Sequence, residues 1–93
     1  MKQIELFHLN HCPYCINARR AIAELQAENP AFAEIRIRWI EESEEPELAN
    51  SRDYYYVPTL YYEGQKLYEA SPAHSYAKIK KAIQKAFDQV LSA

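Results

Sequence analysis

The sequence predicts a small α/β domain with the element order β-α-β-α-β-β-α, and three observations carry that prediction. Apolar and polar residues alternate at period two in residues 3–8 and 34–40, as strands require. Apolar residues recur at three and four positions in residues 13–28 and 76–91, as amphipathic helices require. A β-branched and aromatic run, residues 54–62, is interrupted by Pro58 and followed by the turn Glu63-Gly64-Gln65. At 93 residues the chain fits a single domain, residues 1–93, with room for a core but little margin.

The elements follow in order. Residues 3–8 carry Ile4 and Leu6 on one face and Glu5 and Phe7 on the other, which suits a central strand. Glu5 is expected to be partly buried there, with Arg36 or a tyrosine hydroxyl as its partner. The first helix runs from Pro13 to about Glu28. Its apolar stripe is Cys15, Ile16, Ala18, Ala21, Ile22 and Leu25; proline suits its first turn and Asn29-Pro30 its end. In residues 34–40, Ile35, Ile37 and Trp39 oppose Arg36 and Arg38, and a charged face of that kind protects an edge strand.

An acidic block at residues 41–47 then opens a short helix through about residue 51. Ser43 or a neighbour is expected to cap it, with carboxylates at its positive end. The two strands around Gly64 form a hairpin, the second spanning about 66–69. Ser71-Pro72 reads as an N-cap with proline in the first turn of the last helix. That helix would bury Tyr76, Ile79, Ile83, Phe87 and Val90 and expose Lys78, Lys80, Lys81 and Lys85.

Composition excludes several functions. The chain is 48% hydrophobic and 26% charged, within the globular range. Its 11 basic and 13 acidic side chains give a net charge of −2, against the basic excess that nucleic-acid and anionic-membrane binders need. Met1-Lys2-Gln3-Ile4-Glu5 has no signal-peptide core, and no run approaches about 20 apolar residues. The expected setting is the cytoplasm, and the expected state a monomer. Glycine occurs once and tyrosine eight times.

The two cysteines, Cys12 and Cys15, lie three apart at the start of a helix. A disulfide across two intervening residues closes too small a loop to stabilise the fold, so this pair reads as chemistry. Unsatisfied backbone N–H groups at a helix start favour thiolate over thiol at Cys12. Cys15, one turn deeper, is placed to resolve a mixed disulfide formed by Cys12. A zinc site is the rival reading, because His8 and His11 stand close by and zinc accepts two cysteines with two histidines. Inert core cysteines are the third.

Cys12-Pro13-Tyr14-Cys15 after an N-terminal strand, with Val57-Pro58-Thr59 further on, resembles the thioredoxin superfamily, its glutaredoxin branch most closely. The resemblance covers nearly the whole chain. It implies a thioredoxin-like four-stranded mixed sheet flanked by helices. The first strand would lie inside, the arginine-bearing strand at one edge, and the hairpin on the other side. It also implies a cis Val57–Pro58 bond facing the Cys12 sulfur and thiol–disulfide oxidoreductase activity that needs no bound cofactor. Cys12 and Cys15 would be catalytic, while Pro13, Tyr14, Tyr56, Val57, Pro58 and Ser71 would bind substrate and no residue would hold a metal. Substrates would be protein or small-molecule disulfides, with glutathione or a thioredoxin-reductase-type enzyme as the electron donor.

The chain departs from the branch in two places. Leu9 stands where glutathione-using members carry Lys or Arg, and Leu67-Tyr68-Glu69-Ala70-Ser71 stands where they carry a glycine pair. Glu69 is expected to bring a negative charge toward the seat of an anionic ligand, leaving Ser71 and the last helix's amides to receive a carboxylate. A tyrosine-lined groove for a peptide disulfide is the corresponding expectation, with at least one of Tyr54, Tyr55 and Tyr56 facing it. A redox-sensing protein-binding module and an iron–sulfur-bridged dimer use the same fold, although Pro13 and the missing glycines oppose the second.

Overall fold

The computed structural model describes residues 2–93. The strands are β1 (Gln3–His8), β2 (Arg36–Glu41), β3 (Thr59–Tyr62) and β4 (Gln65–Glu69). The helices are α1 (Pro13–Glu28), α2 (Pro30–Ala33), α3 (Pro46–Asn50) and α4 (Tyr76–Ser92). The sheet is four-stranded in the order β2-β1-β3-β4. β1 runs parallel to β2 and antiparallel to β3, and β4 is antiparallel to β3. The expected mixed sheet is therefore present, with β1 inside and the arginine-bearing β2 at an edge.

The single turn α2 is an addition to the expected order. Asn29 ends α1, and its Oδ1 then accepts from the Ala31 amide at 3.0 Å, so the proline that stops one helix starts the next. This turn delays β2, which begins at Arg36 rather than residue 34. The hairpin turns at Glu63 and Gly64, with φ of 49° and 80°. Two consecutive positive φ values match the twist of paired strands, and Gly64 adopts its value without a Cβ penalty.

Both sheet faces are covered, but unequally. On one, Ile4, Leu6 and Leu60 pack beneath α1 and α4, against Ala18, Ile22 and Leu25 from the first and Ile79, Ile83, Phe87 and Val90 from the second. On the other, Phe7, Ile40, Tyr61 and Ala49 form a smaller cluster under the short α3. Ile16 and Trp39 depart from the expected stripes, at 51% and 40% exposure. Trp39 lies near the open end of the edge strand, where the His8 ring meets it edge-on at 5.6 Å.

Side-chain partners correct three expectations. Ser43 does not cap α3, because its amide and hydroxyl both donate to Glu41 Oε1, and the cap position falls to Glu45. Ser71 does not cap α4. Its hydroxyl accepts from the Ala73 amide within a turn, and Ser75 caps the helix by accepting from the Lys78 amide at 3.2 Å. Glu5 pairs with neither Arg36 nor a tyrosine. Arg38 is its register partner on β2, and Arg52, just past α3, binds both its carboxylate oxygens at 2.9 and 3.1 Å.

Candidate active site

Three segments meet at the C-terminal end of β1: the loop Leu9-Asn10-His11, the first turn of α1, and residues 54–58 leading into β3. Cys12 occupies the N-cap of α1 in an extended conformation (φ −78°, ψ 124°), and its side chain makes no capping hydrogen bond. Its carbonyl accepts from the Ile16 amide at 3.0 Å, and its amide donates to Leu9 O at 3.3 Å. Cys12 remains partly exposed, whereas Cys15 is buried at 1% exposure, and both are free thiols.

The two sulfurs sit in different surroundings. Cys12 Sγ lies 3.8 Å from the Val57 carbonyl oxygen, in a weak hydrogen bond. Cys15 Sγ accepts from the Leu9 amide at 3.4 Å. Burial pushes the Cys15 thiol up to about 12, the neighbouring Cys12 adds to the rise, and the Leu9 N–H opposes it. One thiol is thus partly exposed at a helix start, and burial keeps its neighbour protonated.

The Val57–Pro58 bond is cis, with Pro58 buried and Val57 half-buried. Residues before it are held from β4. Glu69 Oε2 accepts from the amides of both Tyr55 and Tyr56 at 2.8 Å, and Lys66 Nζ binds Oε1 at 2.7 Å. Although partial burial opposes ionisation, the Lys66 ammonium and the two amides hold the Glu69 carboxyl below its ordinary value. The Glu69 carboxylate thus stays charged and anchors the tyrosine loop.

Of the other residues singled out, Pro13 begins α1 and is exposed, and Tyr14 is half-buried with its hydroxyl donating to Pro72 O at 2.9 Å. Tyr56 is 50% exposed and Tyr55 93%, while Tyr54 packs on Phe7 and donates its hydroxyl to Glu42. Ile16, one turn after Cys12, and Tyr55 and Tyr56, just before Val57, are exposed apolar groups. A concavity of about 390 Å³ is lined by Leu9, Glu42, Tyr54 and Tyr55 together with Pro46, Ala49 and Asn50 of α3. A larger hollow of about 700 Å³ lies by Lys2, Ile35 and Arg36, at the opposite ends of β1 and β2. Ser71 is half-buried in the turn before α4; its amide points to His74 Nδ1 at 3.3 Å.

His8 is not arranged as a metal ligand. It is buried, and its Nδ1 lies 3.1 Å from an Arg19 Nη1 that can only donate, so the proton of the neutral ring sits on Nε2. His11 is exposed, and among the described residues no three His, Cys, Asp or Glu side chains gather as a metal site. Burial, with the Arg19 charge, holds His8 below its ordinary value, and Glu41 and Glu44 only partly offset this. Above about pH 6.5 the ring is neutral in both folded and unfolded chains. Below it, the unfolded chain takes up a proton that folded His8 resists, so stability falls until the folded value is passed. The urea midpoint is expected to drop between pH 7 and 5.5, with a smaller drop in His8→Gln; equal slopes in the two proteins would refute this assignment.

The residues that sequence reading missed are Arg19, Arg52 and Glu69 in its anchoring role. Arg19 had a signal, since it lies four residues after Cys15 and so on the same helix face. Arg52 and Glu69 had none.

Comparison with known proteins agrees with this geometry. The family model for the glutathione S-transferase N-terminal domain matches residues 6–77. The chain belongs to this family. It is a member of the thioredoxin superfamily, and its fold recurs in solved thioredoxins. Mitochondrial thioredoxin 3 of Saccharomyces cerevisiae, in its oxidized form, is 19% identical with a TM-score of 0.66, over 95% of this chain and 77% of that one. Thioredoxin 1 of Thermosipho africanus is 18% identical with a TM-score of 0.60, over 94% and 96%. A mutant thioredoxin of Halobacterium salinarum is 18% identical with a TM-score of 0.58, over 91% and 74%. No curated protein sequence matches the chain. Among the described residues, no helix of this family member is long and apolar enough to cross a membrane.

Proposed function

We propose that the protein is a glutaredoxin-like thiol–disulfide oxidoreductase acting on protein or peptide disulfides. The observation that carries this reading is the unequal pair: a reachable Cys12 at the N-cap of α1, facing the Val57 carbonyl, with Cys15 buried one turn behind it. The Cys12 thiolate attacks a substrate disulfide, forming a Cys12–substrate bond and expelling one substrate thiolate, which takes a proton from water. Cys15 loses its proton and attacks Cys12 sulfur. The Cys12–Cys15 disulfide forms, the mixed disulfide breaks, and the second substrate thiol leaves. The substrate gains two electrons and the protein loses them, to be restored by an external thiol donor. Val57 offers its backbone to an extended substrate chain.

The exposed apolar groups support a polypeptide substrate. Ile16, one turn after Cys12, and Tyr55 and Tyr56, just before Val57, give exposed apolar contact area, and the tyrosines offer it at low conformational cost. Glutathione is the donor for which the site is less well built. Leu9 supplies no charge to a glycyl carboxylate, and the turn at Ser71 spends its polar groups internally.

The testing experiment compares donors, with insulin and a glutathione mixed disulfide as substrates. The protein is expected to turn over both when thioredoxin reductase or a chemical dithiol regenerates it. With glutathione as donor, both reactions should slow, and insulin should remain the faster substrate. Many equivalents reduced per chain separate an enzyme from a redox-sensing binding module, which would stop at one. Brisk glutathione-driven turnover of the mixed disulfide would overturn the preference for polypeptides.

A further inference from the structure

The environment of Cys15 poses a chemical problem. Its sulfur must become a thiolate to resolve the mixed disulfide, yet burial pushes its thiol up to about 12. Two groups oppose that penalty. One is the Leu9 amide, donating to the sulfur at 3.4 Å. The other is Arg19, one helical turn beyond Cys15 on the same face of α1, whose positive charge acts on the sulfur.

Arg19 is also clamped. Its Nη1 lies 3.1 Å from His8 Nδ1, at the end of β1, and its Nη2 donates to Asn10 O at 3.1 Å. Asn10 and His8 flank Leu9, the residue whose amide reaches Cys15 and whose carbonyl accepts from the Cys12 amide. A planar guanidinium with two outward N–H edges holds both sides of that loop at once, which a lysine ammonium cannot do with the same fixed geometry. The loop is gripped from the other side by Glu41, whose Oε2 accepts from the Asn10 amide at 3.1 Å.

We propose that Arg19 is a positioning residue for the resolving step: it fixes the loop that points the Leu9 N–H at Cys15, and its charge steadies that sulfur as the proton leaves. The proposal rests on the thiol–disulfide reading above and names the group that makes its second half feasible. The charged and titratable groups around this cluster are Cys12 at the N-cap of α1, Arg19 from α1, His8 from β1, Glu41 at the end of β2 and Glu44 just past it. Because His8 accepts from Arg19, the clamp requires a neutral ring and loosens in acid.

The test separates the two steps with an aromatic disulfide, 5,5′-dithiobis(2-nitrobenzoate), in stopped flow from pH 6 to 10. Attack by Cys12 releases the first coloured thiolate and attack by Cys15 the second. In Arg19→Gln the second phase is expected to slow roughly tenfold at every pH in this range, as a rise of about one unit in a thiol that titrates above the range produces. The first phase should change less than about twofold, and Arg19→Lys, which restores the charge but not the two-edged clamp, should recover only part of the lost rate. A second phase of unchanged rate, both phases slowing together, or a lysine variant as slow as glutamine would each overturn the proposal. Absence of the fast first phase in the unmodified protein, or its survival in Cys12→Ser, would instead remove the thiol–disulfide reading beneath it.

Discussion

Replacing Cys12 by serine is expected to abolish disulfide reduction, lowering turnover on the order of 10³-fold or more. A serine hydroxyl is scarcely ionised at neutral pH and has no sulfur to form a mixed disulfide, so the first bond of the reaction cannot be made. Cys15 cannot substitute, being buried at 1% exposure with its proton firmly held. The Cys15→Ser variant should behave differently. Cys12 still attacks, and the product stalls as a covalent mixed disulfide that mass spectrometry detects as one substrate adduct per chain. Insulin reduction by the two variants provides the check. Residual activity above a few per cent in Cys12→Ser, or free turnover without an adduct in Cys15→Ser, would contradict the division of labour.

Phe7→Ala is expected to be the most damaging change to stability that also reaches the site. Phe7 is fully buried on the thinner side of the sheet, with the Tyr54 ring at 5.1 Å and the Tyr61 ring edge-on at 6.0 Å. Truncating a buried phenylalanine costs about 3–5 kcal/mol, from lost transfer energy and the cavity left behind. A domain of this size holds roughly 5–14 kcal/mol in all. Only the short α3 and the loop before β3 cover this cluster, so little remains to collapse into the gap. Tyr54 would lose its support, and the 54–57 segment beside Cys12 would loosen with it. The urea midpoint should fall by an amount equivalent to at least about 3 kcal/mol at unchanged m-value, while Ile16→Ala stays within about 0.5 kcal/mol. A Phe7→Ala loss below about 1 kcal/mol would show that the second cluster carries no weight.

The two variants mark how legible the protein is. Cys12 and Cys15 could be assigned unequal surroundings from position alone, because a helix start exposes one sulfur and a turn later buries the other. The strand pattern of residues 3–8 and the helical stripe of 76–90 were equally plain, since a buried face repeats at the period of its element. Caps were less so. Ser71-Pro72 and Ser43 carry the right residue types, yet their polar groups are satisfied locally by Ala73 and Glu41, and the caps pass to Ser75 and Glu45. Local hydrogen bonding offers such residues several equivalent uses, and only packing chooses among them.

Position along the chain determined the order of elements, the buried stripes, the turn at Gly64 and the placing of two cysteines at a helix start. The single glycine, present where two consecutive positive φ values are needed, belongs with these because backbone conformation is a local matter. What joins residues far apart was decided by the tertiary structure alone. Arg52 reaches Glu5 across 47 positions, and Glu69 seizes the amides of a loop 13 and 14 residues before it. Such pairs depend on strand order and register, which set distances between segments that the sequence of either one leaves open. Glu69 shows the difference most clearly. By sequence it is a charge beside an anion's seat, and in the folded chain it is the anchor of the loop that builds the site.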